Sequence, residues 1–135
     1  MTGETNLNLL LQSLDPWLDE QEYGFATLSP GSPLPASLTP IATFIEDEGM
    51  TVVAPASQLQ RAGLDHLAGW AWVTLRVHSS LQAIGMMAKI STELAAHKIS
   101  VNPFAGYYHD HIFVQWDRRH LAIKVLNGLK TPGGE

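Results

Sequence analysis

The feature that most constrains this chain is an ordered pattern of segments from Trp70 to Leu129, which reappears in altered form in the first half. Trp70 to Val77 (WAWVTLRV) is a dense run of aromatic and β-branched residues and reads as a strand. After a loop at His78-Ser79-Ser80, a long helix extends to about His97, with Ala83, Met87, Ile90 and Leu94 in a narrow arc. Ile99 to Phe104 and Ile112 to Trp116 read as strands around a turn region from Gly106 to about Asp110. Asp117 is placed to cap a last helix, on which Leu121, Ala122, Val125, Leu126 and Leu129 face one way. The order is strand, helix, strand, strand, helix.

The first half opens with Leu7, Leu10, Leu11 and Leu14 at helical spacing. Asp15-Pro16 ends that helix, because proline disfavours α geometry in the residue before it. Tyr23 to Leu28 reads as a strand. Ser29 to Pro40 holds four of the eight prolines and reads as an ordered loop. Ala42 to Ile45 and Met50 to Ala54 read as a hairpin across Glu46-Asp-Glu-Gly49, and Ser57 is placed to cap a short helix through Ala62. This is the second-half order with one helix replaced by a loop. Glu48 to Val53 also sits where Asp110 to Gln115 sits in the other half. The expectation is an α+β protein of two fused modules, residues 1–66 and 67–130, with antiparallel sheets covered on one face by helices. Residues 131–135 are expected to form a disordered tail.

Composition narrows the function classes. The 135 residues contain no cysteine, which removes disulfides, thiolate metal sites and cysteine nucleophiles. A formal net charge of −5, with Arg118-Arg119 the only adjacent basic pair, gives no electrostatic reason to bind nucleic acid. Met1 to Asn6 has neither the basic start nor the apolar run of a secretory signal. No stretch reaches the roughly 20 apolar residues of a membrane span. A cytoplasmic protein without membrane contact is expected.

Three strings carry a family resemblance: Val77-His-Ser-Ser-Leu-Gln-Ala-Ile-Gly85, His97-Lys-Ile-Ser-Val-Asn102, and Ala105-Gly-Tyr-Tyr-His-Asp-His-Ile-Phe-Val114. With Ala42 to Glu46 and Gly49 to Val53 in the first half, they resemble small bacterial proteins built from two fused ACT domains. The arrangement is also similar to the paired regulatory domains of aspartate kinases and to the cytosolic arginine sensors of animals. The resemblance covers about Leu9 to Leu126. It implies two ferredoxin-like βαββαβ modules that bind an amino acid or other small metabolite and signal to an enzyme in trans. It also implies a homodimer, since such sheets assemble edge to edge.

The resemblance places the ligand on the loop after the first strand of the second module and on the helix start beyond it: Ser79, Ser80, Leu81, Gln82, Ala83, Ile84 and Gly85. The facing wall comes from Val101 and Asn102, or from Thr43 and Phe44. The chemistry suits a carboxylate, because a helix N-terminus presents unpaired N–H groups and the positive end of its dipole. The loop holds no carboxylate to meet a ligand ammonium; Asp110 and Glu46 are the alternatives. That departure keeps open a second reading, a structural or protein-interaction module whose pocket has been lost.

Other constellations are weaker. His109 and His111 project to one side of a strand, but a stable metal site needs a third or fourth ligand. A His-based metal protein is the least favoured alternative. No G-x-S-x-G, G-x-G-x-x-G or phosphate-binding loop is present, so no catalytic residue, metal or cofactor is assigned. Trp70 and Trp72 read as packing residues.

Overall fold

The computed structural model describes residues 6–77 and 83–130. The elements run α1 (Leu7–Gln12), β1 (Pro16–Leu28), β2 (Ala42–Glu46), β3 (Gly49–Pro55), α2 (Ala56–Arg61), β4 (Leu67–Leu75), α3 (Met86–Ala96), β5 (Asn102–Ala105), β6 (Asp110–Gln115) and α4 (Arg119–Gly128). The β4-α3-β5-β6-α4 order of the second half, and its echo β1-loop-β2-β3-α2, are as expected from the repeat. The tail, residues 131–135, lies outside the described residues.

Packing divides the chain into two compact units: the described residues of Met1–Asp19 and Ala71–Glu135 in one, Glu20–Trp70 in the other. In the first unit the strand order is β4-β6-β5. β5 and β6 are antiparallel, with Asn102 opposite Phe113 and Ala105 opposite Asp110. Its core joins Leu10 and Leu14 to Val73 and Leu75 of β4, Ile90 and Leu94 of α3, Ile112 and Val114 of β6, and Leu126 of α4. Ala71, Val73 and Leu75 on β4, and Ile112 and Val114 on β6, alternate toward this core, and α3 and α4 reach it at four-residue intervals with Met86, Ile90 and Leu94 and with Ala122 and Leu126. The N-terminal α1 therefore packs with the second-half elements. Asn6 caps it, accepting a hydrogen bond from the Leu9 N–H at 3.2 Å.

In the second unit the order is β2-β3-β1, all antiparallel. Its core gathers Ala26, Leu28, Leu38, Val52, Ala54 and Leu59. Leu38 comes from the proline-rich segment, which is ordered by specific bonds rather than by regular structure. The Thr39 N–H donates to Gln58 Oε1 at 2.8 Å, Gln58 Nε2 donates to Thr39 Oγ1 at 2.9 Å, and the Ile41 N–H donates to the Val53 carbonyl at 2.8 Å. The loop thus fills the place that a helix occupies in the second half.

Several boundaries differ from expectation. β1 begins at Pro16 rather than Tyr23; Leu18 packs on the core while Trp17, Glu20 and Gln21 stay exposed, so a charged stretch serves as a strand with an open face. Ser57 does not cap α2. Pro55, at φ −53° and ψ 133°, enters that helix directly and no side chain caps it. Asp117 falls in one turn of 3₁₀ helix, Trp116–Arg118, and α4 starts after Arg118. On α3 the most buried methionine is Met86, at 4% exposure, and Leu121 on α4 is 37% exposed. No helix among the described residues is long and apolar enough to cross a membrane.

Candidate functional site

The expected binding loop is only partly described: Ser79, Ser80, Leu81 and Gln82 lie outside the described residues. Ala83 and Ile84 are not helical, and α3 starts at Met86. The long helix expected to carry Ala83 on its apolar arc thus begins at Met86 instead. The N-cap is Gly85, at φ 94°, and its carbonyl accepts the Lys89 N–H at 2.9 Å. A left-handed φ is open to glycine at little cost and strains other residues. Since glycine has no side chain to cap with, the first-turn N–H groups of α3 receive no side-chain acceptor among the described residues. Ile84 stands 85% exposed beside them.

The remaining expected residues divide between the units. Ala83 and Val101 both pack half-buried against the first core. Asn102 is exposed at the start of β5. Thr43 and Phe44 belong to the second unit, opposite Val52 and Thr51 on β3, with Phe44 63% exposed. Of the two carboxylates considered as ammonium acceptors, Glu46 accepts a hydrogen bond from the Thr51 hydroxyl. Asp110 is half-buried at the end of the β5–β6 hairpin.

Sequence reasoning missed a polar cluster beside that hairpin. Trp72 Nε1–H donates to His111 Nδ1 at 3.0 Å, and the Thr74 hydroxyl lies 3.1 Å from the same nitrogen. An indole nitrogen can only donate, so His111 Nδ1 is the acceptor and its proton sits on Nε2. The Thr74 hydroxyl then donates as well. Gly106 lies close by: a Cβ there would approach the His109 carbonyl oxygen to 2.7 Å and His111 Nε2 to 3.2 Å. His109 Nδ1 is buried without a hydrogen-bond partner among the described residues. Also among the described residues, no three His, Asp or Glu side chains form a metal-holding group.

Burial pushes His111 below the ordinary imidazole value, helped by His109 and opposed by Asp110. Burial likewise pushes Asp110 up, against the pull of His111 and His109. For His111 the unfolded chain takes up the proton first, at about 6.5. Stability is therefore expected to fall as pH drops below about 6.5, until the lowered folded value is passed. Asp110 acts oppositely at lower pH, its contribution being lost as pH rises from about 3.9 through its raised folded value. A His111→Gln variant is expected to show a smaller gain in Tm between about pH 5.5 and 7.5 than the parent. Equal gains in the two proteins would contradict this assignment.

Comparison with known proteins places this architecture. Two family models, both described as ACT domain, match residues 2–69 and 69–128. The chain belongs to the ACT domain family. The match spans both halves of the repeat, and the ACT ferredoxin-like fold accounts for the antiparallel strands and the helices that follow them. A crystal structure of a protein of unknown function from Vibrio cholerae, described as a possible transport protein, is similar at 44% identity and a TM-score of 0.83. The similarity covers 93% of this chain and 96% of that one. The ACT fold also matches the aspartate kinase of Clostridium acetobutylicum, at 9% identity and a TM-score of 0.68 over 87% of this chain and 34% of that chain. The regulatory subunit of aspartate kinase from Thermus thermophilus matches at 11% identity and a TM-score of 0.55, over 82% and 93% of the two chains. These last two likenesses are of fold. No curated protein sequence matches the chain.

Proposed function

We propose that this ACT protein is a non-catalytic, cytoplasmic regulator that binds a small metabolite, an amino acid in the first instance, and acts in trans on a partner enzyme as a homodimer. Its two modules are taken as residues 1–66 and 67–130. The observation that carries the reading is the start of α3: with glycine as N-cap, the first-turn N–H groups have no side-chain acceptor among the described residues, next to the exposed Ile84. A ligand carboxylate supplies the missing acceptor and meets the positive end of the helix dipole. Ser79 to Gly85 form the pocket in this reading, with Val101 and Asn102, or Thr43 and Phe44, as its wall.

A thermal-shift screen against the twenty amino acids tests it. A ligand at a hundredfold excess over its Kd adds about 2.7 kcal/mol, several degrees in Tm for a chain of this size. A shift for one or two amino acids supports sensing. A flat profile, with a stable dimer by light scattering, supports the second reading, an interaction module without a pocket. Ile84→Asp is expected to abolish the ligand shift while the unliganded Tm changes by less than about 0.5 kcal/mol equivalent, because the side chain is exposed and the new carboxylate takes the anion's place. An undiminished shift in that variant would move the site elsewhere.

A further inference from the structure

Among the described residues, β2 is the outer strand of the Glu20–Trp70 unit: in the order β2-β3-β1 it has β3 on one side and no strand on the other. An outer strand leaves one row of backbone N–H and C=O groups without ladder partners, and proteins commonly blunt such an edge with lysine or proline. β2 holds neither. Its residues are Ala42-Thr-Phe-Ile-Glu46, with an aromatic and a β-branched side chain side by side near the hairpin.

Those two side chains are uncovered. Phe44 stands opposite Thr51 and Ile45 opposite Met50, so they project to opposite faces of the sheet. Phe44 is 63% exposed and Ile45 83% exposed. A half-buried strand turns its apolar side chains to the core and its polar ones to water, whereas this edge offers apolar surface to solvent on both faces. A strand laid beside β2 would bring its own alternating side chains over both.

Charge decides which strand fits. β2 runs into the hairpin tip Glu46-Asp47-Glu48, where all three carboxylate residues are exposed. The unit as a whole sets six Asp and Glu residues against one cation, Arg61. The β2 of a second copy would bring the same negative excess to the contact, while a strand bearing lysine or arginine meets it with opposite charge.

We propose that the β2 edge takes up an extended segment of a partner protein as an added strand, with apolar residues beside Phe44 and Ile45 and basic residues beside Glu46, Asp47 and Glu48. This surface is independent of the ligand site. It assigns Phe44 to the partner strand and leaves Val101 and Asn102 as the wall at α3, so a flat amino-acid screen does not touch it.

The probe is a fluorescent peptide, Lys-Lys-Val-Ile-Val-Lys-Lys, whose symmetry suits either strand direction, followed by anisotropy and by the backbone amides of ¹⁵N-labelled protein. It is expected to bind and to shift the amides of Thr43, Phe44, Ile45 and Glu46. Three control peptides are each expected to bind about tenfold more weakly or worse. One has glutamate for lysine, one has Gly-Ser-Gly for Val-Ile-Val, and one is N-methylated at the three apolar residues, which keeps charge and apolar surface but removes ladder donors. Ile45→Thr keeps strand propensity and loses apolar surface; the double variant Asp47→Asn, Glu48→Gln keeps shape and loses the tip charge. Each is expected to raise the peptide Kd about fivefold at unchanged Tm. The double variant should also flatten the salt dependence of binding between about 50 and 500 mM NaCl. Equal binding of the lysine and glutamate peptides, an unchanged Kd in either variant, shifts confined to other elements, or no binding at millimolar peptide overturns the proposal. So does conversion of a peptide-free dimer to monomer by Ile45→Thr in light scattering, because a second copy then holds the edge.

Discussion

Replacing Leu10 by alanine is expected to lower the unfolding free energy by about 2–5 kcal/mol. Urea denaturation measures it as a fall in the midpoint with the slope unchanged. Leu10 is fully buried and packs in one cluster with Val73, Ile90, Leu94, Ile112 and Leu126. Its helix is only six residues long, well below the ~12–15 needed for stability in water, so packing must hold it. Deleting the side chain removes its transfer free energy and leaves a cavity. Leu9 is the matched control: it lies on the same helix, is 50% exposed, and its alanine variant should stay within about 0.5 kcal/mol of the parent. Similar losses in the two variants would mean that α1 is not part of the second-half core.

Gly49→Ala is expected to cost about 3 kcal/mol. Gly49 starts β3 opposite Glu46, at φ 153°. A Cβ there would fall 2.3 Å from the Leu28 carbonyl oxygen and 3.0 Å from Thr27 Oγ1. The first of these is backbone of the neighbouring strand β1, so relief requires moving the ladder in which Leu28 faces Met50. Gly31 separates clash from conformation: it has φ 81° with nothing within 4 Å of a built Cβ. Gly31→Ala should therefore cost only the left-handed preference, about 1 kcal/mol. Thermal or chemical denaturation of the pair reads the difference. Equal costs would remove the steric explanation.

These two positions also mark how much of the fold is legible in the chain. The hairpin through Gly49, the apolar faces of α3 and α4, and the echo between the halves all follow from periodicity and turn residues, and the family models match both halves of the repeat. The first half of β1 is not readable in this way. Asp19-Glu20-Gln21-Glu22 has poor strand propensity, and only its neighbours in the sheet make it extended. The start of α3 was hidden for a related reason. The stripe through Ala83, Met87, Ile90 and Leu94 continues the helical period past Gly85, whereas the left-handed backbone at Gly85 breaks the helix there. The Trp72–His111 bond joins residues 39 apart and has no local signal at all.

Of the proposed binding residues, Ala83, Ile84 and Gly85 now have a defined geometry, and their role as a carboxylate seat is the centre of the functional account. The most direct test is to titrate each of the twenty amino acids into uniformly ¹⁵N-labelled protein and follow the backbone amides. The account predicts that at least one amino acid shifts the amides of Gly85, Met86, Met87 and Ala88, with Val101 and Asn102 following, and that Ile84→Asp removes those shifts. Saturable shifts confined to other parts of the chain, or none with any of the twenty, would contradict it.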